Sequence, residues 1–279
     1  MYWRALGEVP ALHVLAIRIL LSLALVSCAL LSRRNFAWLA IFREPKKAGL
    51  MIAAAILICA NWGTYIWAVN QGRTIEASLG YYINPLISIV LGLVFFKERL
   101  RPLQWAAVGV AFSGVLMLAL LSGALPWVPL VLALSFGFYG LLKKKVALSS
   151  LESLGTETLA SAPLGIALLF LAFSPERALP EFSGAQGLSE LARLPAGTLA
   201  LLALSGLATM LPLLLFGRCA KLLPLSTIGF TQFIGPTLQF LIGLFVFGEH
   251  FPAYYFAAFA LIWLAVVLYV ISLRKGKAG

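Results

Sequence analysis

Residues 83–100 read INPLISIVLGLVFFKERL, and residues 234–251 read IGPTLQFLIGLFVFGEHF. The two stretches align without a gap at a constant offset of 151 positions (234 minus 83), and each is followed by one more aromatic-rich apolar segment. Identical residues recur at equivalent positions, among them Ile83 and Ile234, Pro85 and Pro236, Gly92 and Gly243, Phe96 and Phe247, and Glu98 and Glu249. This match predicts that the chain contains an internal repeat.

The composition around these stretches excludes a soluble protein. Of 279 residues, 62% are hydrophobic and 11% are charged, whereas a soluble domain is about half apolar and about a quarter charged. A helix needs roughly 20 apolar residues to cross a bilayer, and strand alternation is absent from the sequence, so we expect an all-α integral membrane protein. Nine candidate spans follow, at residues 10–31, 48–70, 74–96, 102–121, 126–142, 153–173, 197–219, 224–247 and 252–273.

The basic residues predict an orientation in the membrane. The net charge of +11 comes from small groups of Lys and Arg between apolar runs. These groups do not form the continuous basic patch that binding to nucleic acid requires. The connections on one side carry sixteen of these residues, including Lys143 to Lys145, and those on the other side carry four. Because Lys and Arg are retained in the cytoplasm, we expect a multi-pass inner-membrane protein with a cytoplasmic C-terminus.

The helix count predicts two inverted repeats of five helices each. The second repeat, residues 126–273, has five spans, and the first, residues 1–121, has only four complete spans. A first helix is therefore expected to be largely missing from this chain, and residues 274–279 form a basic tail. Spans 74–96 and 224–247 run in opposite directions, and inverted repeats are typical of secondary transporters that bind solute near the membrane midplane.

Several motifs resemble those of a known family. They are NWGTY at residues 61–65, EASLGY at 76–81, INP at 83–85, ERL at 98–100, QFIGPTLQF at 232–240 and FVFGE at 245–249. With these, the chain resembles the drug/metabolite transporter superfamily with two EamA-type repeats, and more closely its RarD group of chloramphenicol-sensitive permeases. The resemblance implies a ten-helix inner-membrane permease that exports metabolites or drugs.

Polar residues inside the apolar spans are the candidate site. Arg18 lies near the centre of its span, where an arginine costs about 2.5 to 3.5 kcal/mol, so it is predicted to contact either solute or backbone carbonyls. Pro85 and Pro236 each remove one helical hydrogen bond. The pair is interpreted either as packing kinks or as two helix breaks that line a cavity.

Uncharged polar side chains surround these prolines in the sequence. Amides and tyrosines suit amphipathic organic solutes better than bare inorganic ions, although each could instead be interhelical contact worth about 0.6 kcal/mol. Glu157 lies past the first turn of an apolar span with Ser161 one turn on, and is the candidate for proton coupling. The predicted substrate-binding residues are Arg18, Asn61, Tyr65, Tyr81, Asn84, Gln232 and Gln239.

Motifs for other chemistry are missing from the sequence. It has no nucleotide-binding GxxxxGK[ST], no HExxH and only two histidines, and its three cysteines lack metal-ligand spacing. No catalytic residue, metal or cofactor is predicted, and the expected partners are the lipid bilayer and a small-molecule substrate, with a homodimer left open. We expect a secondary transporter that exports a small amphipathic metabolite or drug by alternating access. The alternatives are a membrane scaffold or accessory protein, an integral-membrane enzyme and a passive channel.

Overall fold

A computed structural model describes residues 11–71, 73–121, 127–172, 194–246 and 252–274, together with Leu6 and Val9. Within these ranges the chain is helical and contains no strand, and eight helices are long and apolar enough to cross a membrane, which confirms the all-α membrane prediction. The ten α-helices are α1 (Ala11–Ser32), α2 (Pro45–Asn70), α3 (Thr74–Phe96), α4 (Pro102–Leu121), α5 (Trp127–Lys145), α6 (Ser150–Ala172), α7 (Ala196–Leu222), α8 (Leu225–Gln232), α9 (Ile234–Val246) and α10 (Ala253–Arg274), and a 3₁₀ helix covers Ala37–Arg43.

The predicted span 224–247 is two helices, α8 and α9, which are separated at Phe233. Pro236 explains the position of the interruption, because it has no N–H to donate to the carbonyl of Gln232, where α8 ends. Pro236 is the third residue of α9, and a proline is tolerated in the first turn of a helix.

The prediction of a helix break at Pro85 is wrong. Helix α3 continues from Thr74 to Phe96 with Pro85 inside it. A single proline removes one hydrogen bond of the ladder, and the turns on both sides of Pro85 remain helical. Gly229 of α8 packs directly on this turn, since a Cβ built on it would lie 2.7 Å from the Pro85 carbonyl oxygen.

The chain divides into two compact units, and each takes helices from both halves of the sequence. The first unit comprises Met1–Cys59 with Leu142–Lys221, and the second comprises Ala60–Leu141 with Leu222–Gly279. The predicted repeats, residues 1–121 and 126–273, are therefore not the compact units. The boundaries of the repeats rest on sequence similarity alone and stay a prediction.

In the first unit, α1 packs along α6. Small residues permit this approach, as expected for helices in a membrane. A Cβ built on Gly165 would lie 3.0 Å from the Ile19 side chain, and one built on Gly206 of α7 would lie 2.6 Å from that of Leu21. The hydroxyl of Ser22 also donates to the carbonyl oxygen of Gly206 over 3.1 Å.

In the second unit, α4 packs along α10 and α3 packs against α8. The offset of 151 relates the first residue of α3, Thr74, to that of α8, Leu225, and likewise Pro102 of α4 to Ala253 of α10. Helices at equivalent repeat positions are thus packing partners. Aromatic side chains fill the core, with the rings of Phe240 and Phe259 stacked 4.0 Å apart.

Candidate functional site

The contact between α3 and α8 brings Asn84 and Gln232 together. The Nδ2 group of Asn84 donates to Oε1 of Gln232 over 3.1 Å, and the Ser88 hydroxyl donates to the same oxygen over 3.3 Å. Both amides are among the substrate-binding residues that the sequence predicts. The structure therefore joins two members of the predicted site, while their role as solute ligands stays a prediction.

This amide pair has unused hydrogen-bonding capacity. The Oδ1 atom of Asn84 and the Nε2 atom of Gln232 are both buried and have no hydrogen-bond partner. Asn84 is buried, with 6% of its surface exposed. A buried polar group without a partner costs roughly 1 to 3 kcal/mol, so the pair is suited to receive one more polar group.

Asn61 and the two predicted tyrosines have contacts of their own in the second unit. The Asn61 amide nitrogen donates to the Leu132 carbonyl over 2.8 Å and to the Ser135 hydroxyl over 3.0 Å, which ties α2 to α5. The rings of Tyr65 and Tyr81 meet edge to face with centroids 5.8 Å apart. Asn61 therefore has the geometry of an interhelical contact, the alternative that the sequence left open.

Gln239 lies in α9, but its side chain is outside the described part of the structure. A neighbouring tyrosine that was not predicted reaches this helix instead. The Tyr82 hydroxyl donates to the carbonyl oxygen of Pro236 over 3.1 Å, and its ring packs edge to face on Phe259. A tyrosine hydroxyl inside an apolar span needs a partner, and this requirement could have singled out Tyr82 as well as Tyr81.

Glu98 has a role that the sequence reasoning missed. Its Oε1 atom accepts a hydrogen bond from the Leu225 backbone N–H over 2.6 Å, and its Oε2 atom accepts one from the Ser226 N–H over 3.0 Å. A carboxylate at a helix N-terminus satisfies unpaired N–H groups and the helix dipole. Glu98 thus holds the start of α8 to the end of α3, and the recurrence of this glutamate in both repeats was the available signal.

Glu157, the proton-coupling candidate, is in the first unit and forms a buried ion pair. Its Oε2 atom lies 2.7 Å from Nζ of Lys143, and both side chains are almost fully buried. The prediction that Lys143 lies in a connection between helices is wrong, because α5 continues through Lys145. Lys143 packs beside Gly217, whose missing side chain leaves room for the lysine stem.

Arg18 also belongs to the first unit. It is 9% exposed on α1, and Ser22, one turn further along the same helix, is also buried. A charge at membrane depth is expected to face polar surroundings of this kind. Across the described ranges, no group of three or more His, Cys, Asp or Glu is placed to hold a metal.

Comparisons with known proteins agree with this helical architecture. Residues 2–120 match the EamA-like transporter family. The protein RarD of Streptomyces exfoliatus is 45% identical over 269 residues, which are 96% of this chain and 82% of that relative. The chain belongs to the EamA-like transporter family. Within the EamA family it falls in the RarD group of drug/metabolite transporters, as the motifs predicted.

Two further similarities support the EamA assignment and the fold. The uncharacterized transporter YojE of Bacillus subtilis (strain 168) is 43% identical over 281 residues, which are 99% of this chain and 90% of that protein. A protein with a solved crystal structure superposes on this chain with a TM-score of 0.71 at 19% sequence identity, and the match covers 98% of this chain and 92% of the solved one. The chain is therefore a multi-pass member of a membrane transporter family.

Proposed function

We propose that this protein is an inner-membrane secondary transporter that exports a small amphipathic organic solute by alternating access. The observation that carries the proposal is the Asn84–Gln232 contact, which lies where α8 ends and joins two helices at equivalent repeat positions. In transporters with inverted repeats, solute binds at the repeat interface beside irregular helices. The site proposed is therefore the α3–α8 contact, with Tyr81 and Gln239 contributing.

The chemistry of this contact supports an organic solute. Its polar groups are uncharged amides, and a packed apolar core that includes Tyr82, Phe230 and Phe233 adjoins them. Small-molecule sites combine an apolar lining with a few placed polar groups. A bare inorganic ion would need more oxygen ligands than one amide pair supplies.

Glu157 remains the carboxylate proposed for proton coupling. Its partner sets a condition on that role, because a proton taken up by Glu157 leaves the buried ammonium of Lys143 without its counter-charge. An unpaired buried charge is strongly unfavourable. Proton uptake therefore requires a conformation in which Lys143 and Glu157 separate and water reaches the lysine.

The experiment compares buried asparagines in the same unit. Cells that lack the protein are given back the wild type, Asn84→Ala or Asn61→Ala, and their solute pools are measured by mass spectrometry. The change in each pool is divided by the level of folded protein. We expect Asn84→Ala to lose most transport while its protein level stays near wild type. Asn61→Ala should lower both together, because Asn61 bonds α2 to α5.

Gln232→Ala and Gln239→Ala are measured in the same way and should behave as Asn84→Ala does. If Asn84→Ala and Asn61→Ala lose transport and protein level in the same proportion, Asn84 is a packing residue and the proposed site is wrong. If restoring the wild type changes no solute pool, the transport proposal itself fails.

A further inference from the structure

We infer that the Asn84–Gln232 pair recognises its solute through an amide edge, that is, through one N–H donor and one adjacent carbonyl acceptor on the same group. The ligand class is then neutral carboxamides, lactams and ureas that carry an apolar or aromatic body. This inference rests on the proposed function for the site, and names the chemistry that the site selects.

The hydrogen-bond inventory of the two side chains leads to this class. Asn84 and Gln232 each carry one amide oxygen and one amide nitrogen. Their mutual bond uses the nitrogen of Asn84 and the oxygen of Gln232, and Ser88 also bonds that oxygen. What remains is a buried acceptor, Oδ1 of Asn84, and a buried donor, Nε2 of Gln232.

The result does not depend on which atom of each amide is the oxygen. Exchanging oxygen and nitrogen in both side chains makes Gln232 the donor to Asn84 and to the Ser88 hydroxyl. The remaining groups are then the nitrogen of Asn84 and the oxygen of Gln232. In both arrangements one amide nitrogen and one amide oxygen are left without a partner, and each belongs to the same amide group as an atom of the bond that joins the pair.

Simple ions and singly polar solutes cannot satisfy both groups. A carboxylate or an ester offers acceptors alone, and an ammonium offers donors alone. Each leaves one buried group of the pair unsatisfied, which weakens binding about tenfold. An amide edge satisfies both and reproduces the hydrogen-bonding pattern that the two side chains already share.

Three probes of similar size test the inference on the purified full chain in detergent. Benzamide offers a donor and an acceptor, whereas methyl benzoate and N,N-dimethylbenzamide offer only acceptors. The thermal unfolding midpoint is followed against probe concentration, since a ligand that binds the folded state raises it. We expect benzamide to act at a concentration about tenfold lower than either analogue.

A double variant, Asn84→Leu/Gln232→Met, removes both amides with side chains of similar size. Replacing both partners of a hydrogen bond by apolar groups is nearly neutral for folding, so the variant should fold and lose the preference for benzamide. Ser113→Ala is the matched control, because Ser113 is exposed on α4 and bonds only to its own helix at Gly109. It should keep the preference.

Three results would overturn the inference: equal action of the three probes on the wild type, no action of any of them, or a preference for benzamide that survives in the double variant. Binding and transport are measured separately. An amide preference in a protein that changes no cellular solute pool keeps the inference and refutes transport. Changed solute pools in a protein without an amide preference keep the transport proposal and refute the inference.

Discussion

The buried ion pair of Lys143 and Glu157 should contribute strongly to stability. Their charges lie 2.7 Å apart with almost no exposure, and removing one partner of a buried pair costs roughly 3 to 5 kcal/mol. We expect Lys143→Met to lower the unfolding midpoint strongly in detergent. The double variant Lys143→Met/Glu157→Leu should regain most of the loss, because a packed apolar pair replaces the ion pair without leaving a lone charge.

The neighbouring lysines of the same cluster supply the control. Lys145 is exposed at the end of α5, so Lys145→Met should leave the midpoint nearly unchanged. A Lys143→Met protein as stable as Lys145→Met would show that the ion pair contributes nothing to folding. A double variant less stable than Lys143→Met would contradict the idea that the lone carboxylate causes the loss.

Glu98 gives a second prediction at the residue scale. It accepts hydrogen bonds from two backbone N–H groups at the start of α8, and loss of such a cap costs roughly 0.5 to 2 kcal/mol. We expect Glu98→Ala to lower the unfolding midpoint and Glu98→Gln to lower it less, because the glutamine oxygen still accepts one bond. Equal midpoints for Glu98→Ala and wild type would exclude the cap.

Glu44→Ala is the matched control for Glu98. Glu44 pairs with Lys47 at 2.7 Å, but both side chains are about half exposed, and exposed ion pairs contribute roughly 0 to 1 kcal/mol. The variant should therefore have a nearly wild-type midpoint.

Sequence could name some of these residues but not their partners. Glu157 stood out because a carboxylate past the first turn of an apolar span is rare. Lys143 did not, because three consecutive lysines have the pattern of a cytoplasmic loop. In the structure Lys143 is fully buried, with its stem packed against Gly217, and that packing joins segments far apart in the sequence.

At the scale of helices, the approach of α8 to α3 depends on Gly229. A Cβ at this position would lie 2.7 Å from the Pro85 carbonyl oxygen and 2.9 Å from the Ile89 side chain. The first neighbour is backbone, so the helices must separate. We expect Gly229→Ala to cost roughly 1 to 3 kcal/mol and to reduce transport by weakening the Asn84–Gln232 contact.

Gly109 on α4 is the control for this substitution, since a Cβ built there meets nothing within 4 Å. Gly109→Ala should be neutral or slightly stabilising, because alanine favours the helix. Transport and the unfolding midpoint are measured for both variants. If Gly229→Ala matches Gly109→Ala in both, the α3–α8 contact tolerates separation and close packing is not what positions the amide pair.

The sequence predicted the bounds of several helices closely, but it did not predict which helix is interrupted at its proline. Apolar length predicted α3 at 74–96 and α4 at 102–121, as the structure has them. Pro85 and Pro236 lie at equivalent positions of the repeat, yet only the second lies beside a helix interruption. The local sequences differ, because Asn84 precedes Pro85 whereas Gly235 precedes Pro236, and glycine is the poorer helix former.

For the whole molecule, the sequence predicted an all-α membrane protein and its family from composition, spacing and motifs. It did not predict the compact units, which combine helices from both halves of the chain. Helices at equivalent positions of the predicted repeats, such as α4 and α10, contact each other within one compact unit. The chain passes from one compact unit to the other after Cys59, Leu141 and Lys221.

The orientation in the membrane is the last prediction, and it follows from the distribution of charge. The sequence predicts sixteen Lys and Arg residues in the connections and helix ends on one side and four on the other, and this bias retains the richer side in the cytoplasm. We expect segments 32–47, 97–101 and 143–152 to be cytoplasmic and segment 174–196, of which residues 174–193 lie outside the described part of the structure, to be periplasmic. Single cysteines, Ala147→Cys and Ser183→Cys, report the two sides in a variant without native cysteines.

A membrane-impermeant maleimide should label Ser183→Cys in cells whose inner membrane is intact, and should label Ala147→Cys only after that membrane is opened. Neither substitution alters a charge, so neither disturbs the bias that sets the orientation. Labelling of both cysteines in opened cells is the control for accessibility. The reverse pattern, with Ala147→Cys labelled first, would invert the topology, and the amide pair of α3 and α8 would then have to load its solute from the opposite side.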